Sequence, residues 1–226
     1  RAKVVTSSGY FLNEQEYNYE VCPISGVEIK GKHSSIVTDL LEMSESKTVE
    51  QKRISCEDEE RISRGYQIKT YFSVPGGKET IIQAKVLNDK DEFLNLQFIP
   101  AAKLYQVNYK WKIKEREGFL IGDKTGIWKK DKQLEEKDKK AKKGEDDNTE
   151  PIKSVKLFTH DTADSLYIQP IKALALDKDG IITLQYALKR AIENIFQVES
   201  NEIAVTLIGD DDNPNIFLYE ASEGSL

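Results

Sequence analysis

Leu104-Tyr-Gln-Val-Asn-Tyr-Lys-Trp-Lys-Ile-Lys-Glu-Arg-Glu-Gly-Phe-Leu-Ile-Gly-Asp-Lys-Thr-Gly-Ile-Trp128 is the stretch from which the fold is read. Tyr105, Val107, Tyr109, Trp111 and Ile113 alternate with polar residues, the period of a strand with one apolar face. Gln106, Asn108, Lys110, Lys112 and Lys114 fall on the opposite face, which is therefore largely cationic. Lysines beside aromatic rings suit nucleic acid, because cations neutralise phosphate and rings stack on bases. The same pattern also describes a half-buried antiparallel strand whose outer face is kept soluble by lysine.

Working outward, Tyr66, Ile68, Thr70, Phe72 and Val74 alternate in the same way and stop at Pro75-Gly-Gly77. Further strands are expected at Glu79–Leu87 and Phe93–Ile99. Ser55-Cys-Glu-Asp-Glu-Glu-Arg-Ile-Ser-Arg-Gly65 carries the signals of a short helix. Ser55 caps it, acids sit at its positive end, Arg61 and Arg64 sit at its negative end, and Gly65 follows the last turn. Strands joined by short turns predict an antiparallel sheet or small barrel for residues 1–128.

Residues 129–153 contain only Leu134, Ala141 and Ile152 as aliphatic side chains, too few to offset the entropy of ordering them. A charged flexible linker is expected there, with Glu/Lys pairs able to support transient helix. Beyond it, Val155–His160 and Ser165–Gln169 read as strands, and Leu184, Ala187, Leu188, Ala191, Ile192, Ile195 and Phe196 follow helical spacing. Ile203–Ile208 and Ile216–Tyr219 read as two more strands around the Asp210–Pro214 turn. The expected class is α+β. An N-terminal, mostly antiparallel β part with short helices would precede a smaller α/β part at 154–226, with one long amphipathic helix on a sheet.

Charge is unevenly distributed. Residues 1–128 carry 19 Lys+Arg against 19 Asp+Glu, residues 129–153 carry 9 against 8, and residues 154–226 carry 5 against 12. Phosphate is repelled by the acidic last third, so a nucleic-acid face is expected in the first half and a protein-facing surface in the last. No apolar run reaches the roughly 20 residues of a membrane helix. Two cysteines, Cys22 and Cys56, fit a reducing cytoplasm better than a disulfide framework. The sequence has no initiator methionine and no secretory leader, as expected of a piece of a longer protein.

Motifs for chemistry are scarce. There is no phosphate loop, no Gly-x-Gly-x-x-Gly, no Gly-x-Ser-x-Gly elbow and no His-Glu-x-x-His. His160 with Asp161 and Asp164 is the only arrangement resembling a base or metal corner, and a strand-end histidine is more often structural. Cys22-Pro-Ile-Ser-Gly26 has the form of half a zinc knuckle with serine in place of the second ligand, which leaves zinc short of its four ligands.

Three blocks resemble a known family when taken together: Arg53–Ile68, Asn108–Lys112 with Glu117–Asp123 and Gly126–Trp128, and Ile216–Leu226. Their order is similar to the C-terminal accessory region of large prokaryotic DEAD/DEAH-box superfamily 2 helicases, which carries the domain of unknown function also called the Mrf-type zinc-binding domain. In that family the last block continues into a helix and a Cys cluster, and Ser225 stands here where a second glycine is usual.

The resemblance implies a non-catalytic module that positions single-stranded or partly unwound DNA and docks on an ATPase motor. Such helicases act in DNA repair and in antiphage defence of the DISARM and Druantia kinds. ATP and Mg²⁺ would belong to the motor, and Zn²⁺ to the cluster beyond residue 226. The nucleic-acid-binding candidates are Lys103, Asn108, Lys110, Lys112, Lys114, Arg116, Arg61 and Arg64, with no catalytic or metal-ligating residue in this stretch. The alternative is a protein-interaction scaffold of a defence complex that makes no DNA contact.

Overall fold

Alternating apolar and polar runs build strands, and in the computed structural model of the chain the described residues form mostly antiparallel sheet with two α-helices, an α+β architecture. It describes residues 2–43, 65–89, 91–112, 114–143, 150–171, 174–211 and 214–221. The short helix expected from Ser55, with Arg61 and Arg64, lies outside them, as does Ile113. In chain order the elements are β1 (Lys3–Thr6), β2 (Ser34–Val37), β3 (Leu40–Glu42), β4 (Tyr66–Ser73), β5 (Ile82–Asn88), β6 (Asp91–Trp111), β7 (Phe119–Gly122), α1 (Asp131–Lys143), β8 (Ile152–Pro170), α2 (Lys178–Phe196), β9 (Ile203–Ile208) and β10 (Asn215–Glu220).

Hydrogen bonding orders the main sheet β4-β6-β8-β10-β9, with β5 on β6 and both β3 and β7 on β8. β5 with β6, β7 with β8, and β10 with both β8 and β9 pair antiparallel, whereas β3 runs parallel to β8 with Leu40 opposite Lys156. Two pairs of expected strands are each one long strand. β6 joins Phe93–Ile99 to the Tyr105 tract, and β8 joins Val155–His160 to Ser165–Gln169. Ala101 sits within β6 at φ 49, where the buried series passes from Gln97 and Ile99 to Ala102 and Leu104. A residue in this left-handed region bends a strand without ending it, and the Ala101 amide donates to Asp164 Oδ1 at 2.8 Å.

The chain divides into two compact units that do not follow the boundary expected at 129–153. Unit 1 comprises Arg1–Ala2, Thr38–Lys69 and Gln106–Thr159, and unit 2 comprises Lys3–Val37, Thr70–Tyr105 and His160–Leu226. Strands β4, β6 and β8 each contribute residues to both. Long strands make this division possible, and a composition scan cannot detect it because no linker marks the crossings.

Unit 2 holds the larger core. Phe72 lies at its centre, with ring centroids 5.3 Å from Tyr10, 5.5 Å from Tyr167 and 4.9 Å from Phe217. Asp177 caps α2 by accepting from the Gly180 amide at 2.7 Å, and Ile181, Leu184, Leu188 and Ile192 pack with Ile168, Ile216 and Leu218. Unit 1 has a smaller core of Phe119, Ile121, Val155 and Leu157. The stretch expected to be a flexible linker forms α1 over Asp131–Lys143. Contacts at its start and its middle supply what its composition lacks: Asp131 binds two cations, and Lys137 Nζ donates to the Glu150 carbonyl at 2.6 Å.

Candidate nucleic-acid interface

The alternation in β6 holds as far as Tyr109. Tyr105, Val107 and Tyr109 are buried, while Gln106 is exposed and Asn108 and Lys110 are half-buried. It ends at Trp111, which is expected on the core face but is 37% exposed. The strand stops there: the Lys112 amide donates to the Gly65 carbonyl at 2.9 Å and the Lys114 amide to the Trp111 carbonyl at 3.0 Å, turning the chain.

The cationic row divides. Lys103 belongs to unit 2, where its Nζ lies 5.7 Å from the Tyr105 ring centre, with that of Lys3 at 5.0 Å. The other described candidates belong to unit 1. Asn108 Oδ1 has no hydrogen-bond partner among the described residues, and Lys110 Nζ donates to the Glu115 carbonyl at 3.3 Å. Lys112 is exposed. Lys114 and Arg116 converge on Asp131, the latter at 2.6 Å. These two cations anchor the first turn of α1. Their carboxylate partner is held below its ordinary pKa, first by the Lys114 hydrogen bond and then by both positive charges.

Trp111, between Lys110 and Lys112 in the chain, belongs to a cluster of aromatic rings. Tyr66 from β4 and Trp111 from the end of β6 lie 4.2 Å apart, both rings reach Phe119 of β7 at 6.1 and 6.4 Å, and Trp128 meets Phe119 edge-on at 5.9 Å. Phe119 is 7% exposed and forms the floor, whereas Tyr66, Trp111 and Trp128 are 42%, 37% and 60% exposed. Ile68 and Ile127 are exposed as well. Burial of such rings normally drives folding, so three of them left open on one support form a surface suited to contact. On the buried face of the strand, Lys69 and Lys156 place their ammonium groups 5.4 and 5.6 Å from the Tyr109 ring centre.

Local sequence explains why Trp128 is presented this way. Gly118 and Gly122 bracket Phe119-Leu-Ile121; Gly118 adopts φ 86, which disfavours a side chain, and a Cβ at Gly122 would displace the Glu150 carboxylate. At Gly118 a Cβ would also meet Ser154 Oγ. The Gly122 amide donates to the Ile127 carbonyl and the Lys129 amide to the Leu120 carbonyl, closing a hairpin that carries Trp128. Glu150 fills its turn, accepting from the Thr125 hydroxyl at 2.7 Å, the Thr125 amide at 3.0 Å and Lys129 Nζ at 2.8 Å. Lys129 and Thr125 together pull the Glu150 carboxyl down to about 2.

Both depressed carboxylates, Glu150 and Asp131, contribute stability above their unfolded pKa values and lose it as pH falls. Tryptophan emission should therefore change between pH 4.5 and about 2, the ordinary and folded values for Glu150. Glu150→Gln should abolish most of that transition, and a transition of unchanged size in the variant would assign it elsewhere.

Tyr66, Trp128, Lys69 and Lys156 are absent from the expected site, and the order of the Asn108, Glu117 and Gly126 blocks was the one signal pointing to Trp128. The His160 corner does not assemble into a catalytic set. Asp161 Oδ1 accepts from the Thr162 amide at 2.7 Å, Asp164 Oδ1 accepts from the Ala101 amide, and His160 is exposed with its ring 6.1 Å from Tyr105. Cys22 is 1% exposed and lies 3.9 Å from Ser8 Oγ, which donates to Ser25 Oγ at 2.8 Å, so hydroxyl groups occupy the surroundings of the half-knuckle. Among the described residues there is no group of three or more His, Cys, Asp or Glu able to hold a metal ion. No described helix is long and apolar enough to cross a membrane. Comparison with protein-family models, curated proteins and solved structures finds no match.

Proposed function

We propose that the chain is an accessory region of a prokaryotic DEAD/DEAH-box helicase and that the open aromatic cluster of unit 1 holds single-stranded DNA. The observation that carries this reading is the convergence of Tyr66, Trp111 and Trp128, distant in sequence, on one half-exposed platform, with Lys110 and Lys112 adjoining Trp111 in the chain on the other face of the strand. Exposed rings stack on any base, so the contact has little sequence preference, and the lysines supply a salt-dependent term. The module performs no chemistry itself. ATP turnover and Mg²⁺ belong to the motor it serves, in repair or in antiphage defence. Exposed Ile68 and Ile127 favour a second reading, in which the same surface meets protein in a scaffold without DNA.

The chain contains two tryptophans, and both are in the cluster, so intrinsic tryptophan fluorescence reports on this surface alone. A single-stranded oligonucleotide should quench it, with affinity falling as salt rises. Lys110→Glu with Lys112→Glu should weaken binding and flatten the salt dependence by roughly 0.7 in slope for each phosphate no longer neutralised. Absence of quenching, or binding indifferent to both salt and these charges, supports the scaffold reading instead.

A further inference from the structure

The apolar stripe of α2 outruns the sheet beneath it. Ile181, Leu184, Leu188 and Ile192 pack against the strands, but Ile195 and Phe196, which continue the stripe, are 73% and 70% exposed. Positions 192, 195 and 196 form one ridge, and a ridge of this kind normally seats in the groove of another element.

Beside it, within unit 2, is a cavity of about 370 Å³ walled by Phe98, Leu166, Ile192, Val198, Ile203 and Leu218. Its remaining lining includes three carboxylates, Asp164, Glu202 and Glu220. Two of them are held in place by backbone amides: Asp164 by Ala101 at 2.8 Å and Glu202 by Glu199 at 2.6 Å. The cations of α2 nearest this end, Lys189 and Arg190, are both bound to Glu193, at 3.7 and 2.9 Å. The apolar groove therefore has an acidic rim, in a region carrying 12 acidic residues against 5 basic ones.

We propose that this groove docks a basic amphipathic helix, with apolar anchors on one face and Lys or Arg alongside them. An exposed helical ridge next to an apolar trough is the arrangement that takes a helix, and the rim sets the sign of its charge. Phosphate is disfavoured by the same carboxylates, so this surface and the aromatic cluster address different partners. The inference rests on the accessory-region reading only for the existence of a docking partner, and it gives that partner a chemistry.

The probe is a labelled synthetic Lys/Leu helix of about 18 residues, roughly five turns. One control is a twin with Glu in place of Lys, and another is a shuffled peptide of equal composition without an apolar stripe. The Lys/Leu helix should bind, and the twin and the shuffled peptide should not. Ile195→Ser with Phe196→Ser should weaken binding by roughly tenfold or more, as expected for central anchors. Both residues are exposed, so thermal melting should be unchanged. Glu202→Gln with Glu220→Gln should weaken binding and reduce its salt dependence. Equal binding of the controls, no binding, or indifference to both double variants in folded protein would overturn the proposal. Oligonucleotide titration of the same variants should match the parent chain, so failure here is distinguishable from failure of the nucleic-acid reading.

Discussion

Alanine at Tyr66, Trp111 and Trp128 together should lower affinity for a single-stranded oligonucleotide by roughly a hundredfold or more. Stacking on an aromatic ring is worth about 1–3 kcal/mol per base, so three rings at the lower bound account for that factor. The three are 42%, 37% and 60% exposed, and their supporting ring, Phe119, is untouched. The fold should therefore survive, at a cost of about 0.5–1.5 kcal/mol per ring pair in addition to the area each side chain buries. Anisotropy of a labelled oligonucleotide gives the affinity, since both tryptophans are removed. Phenylalanine at the same positions should restore much of the binding, because a flat ring is the requirement. Unchanged affinity in the folded triple variant would exclude the platform as the binding surface.

Phe72→Ala should destabilise the chain by roughly 3–5 kcal/mol. Phe72 is fully buried at the meeting point of Tyr10, Tyr167 and Phe217, and with Phe72 itself these side chains draw on all three segments of unit 2. Its backbone is engaged as well: its amide donates to the Gly9 carbonyl and its carbonyl accepts from the Phe11 amide. The cavity left behind has walls held by strands, which limits collapse. Urea unfolding should show a lower midpoint with an unchanged slope, and a loss below about 1 kcal/mol would mean that the core relaxes around the hole. Phe72→Leu should recover a large part of the stability.

Local periodicity carries some of this structure and long-range pairing carries the rest. The buried positions of Tyr105, Val107 and Tyr109 follow from alternation, because a strand's two faces differ wherever one is covered. Trp111 obeys the same alternation, yet alternation does not say where the cover ends. Tyr66 and Ile68 are exposed for the same reason, whereas Phe72 and Val74 on the same stripe are buried. α2 and β9 were legible from spacing, while β6 and β8 looked like two strands each, since Ala101 bends without interrupting the ladder. α1 opposed its own composition, and the groups that hold it lie outside it, at Lys114, Arg116 and Glu150.

The candidate site was legible to the same extent. The tract containing Lys110, Trp111 and Lys112 was identified, but the engagement of Lys114 and Arg116 by Asp131 depends on a turn that no residue type announces. Glu150 is the clearest case: between acidic linker and strand it looks like one more solvated charge. In the folded chain it fills the turn that carries Trp128.

The interleaving of the two units has a consequence for biosynthesis. Unit 2 needs Tyr10, Phe72 and Phe217 together, and these leave the ribosome in that order with the whole of Gln106–Thr159 made before the last of them. At roughly 5–20 residues per second, Tyr10 and Phe11 wait for many seconds without their final neighbours. The segments of unit 1 are all present once Thr159 has emerged, so the smaller core can close first although the larger one was begun earlier. A ribosome paused after Thr159 has emerged and before Asn215 is made would therefore display every segment of unit 1 beside an aromatic core not yet closed, the kind of species that chaperones hold.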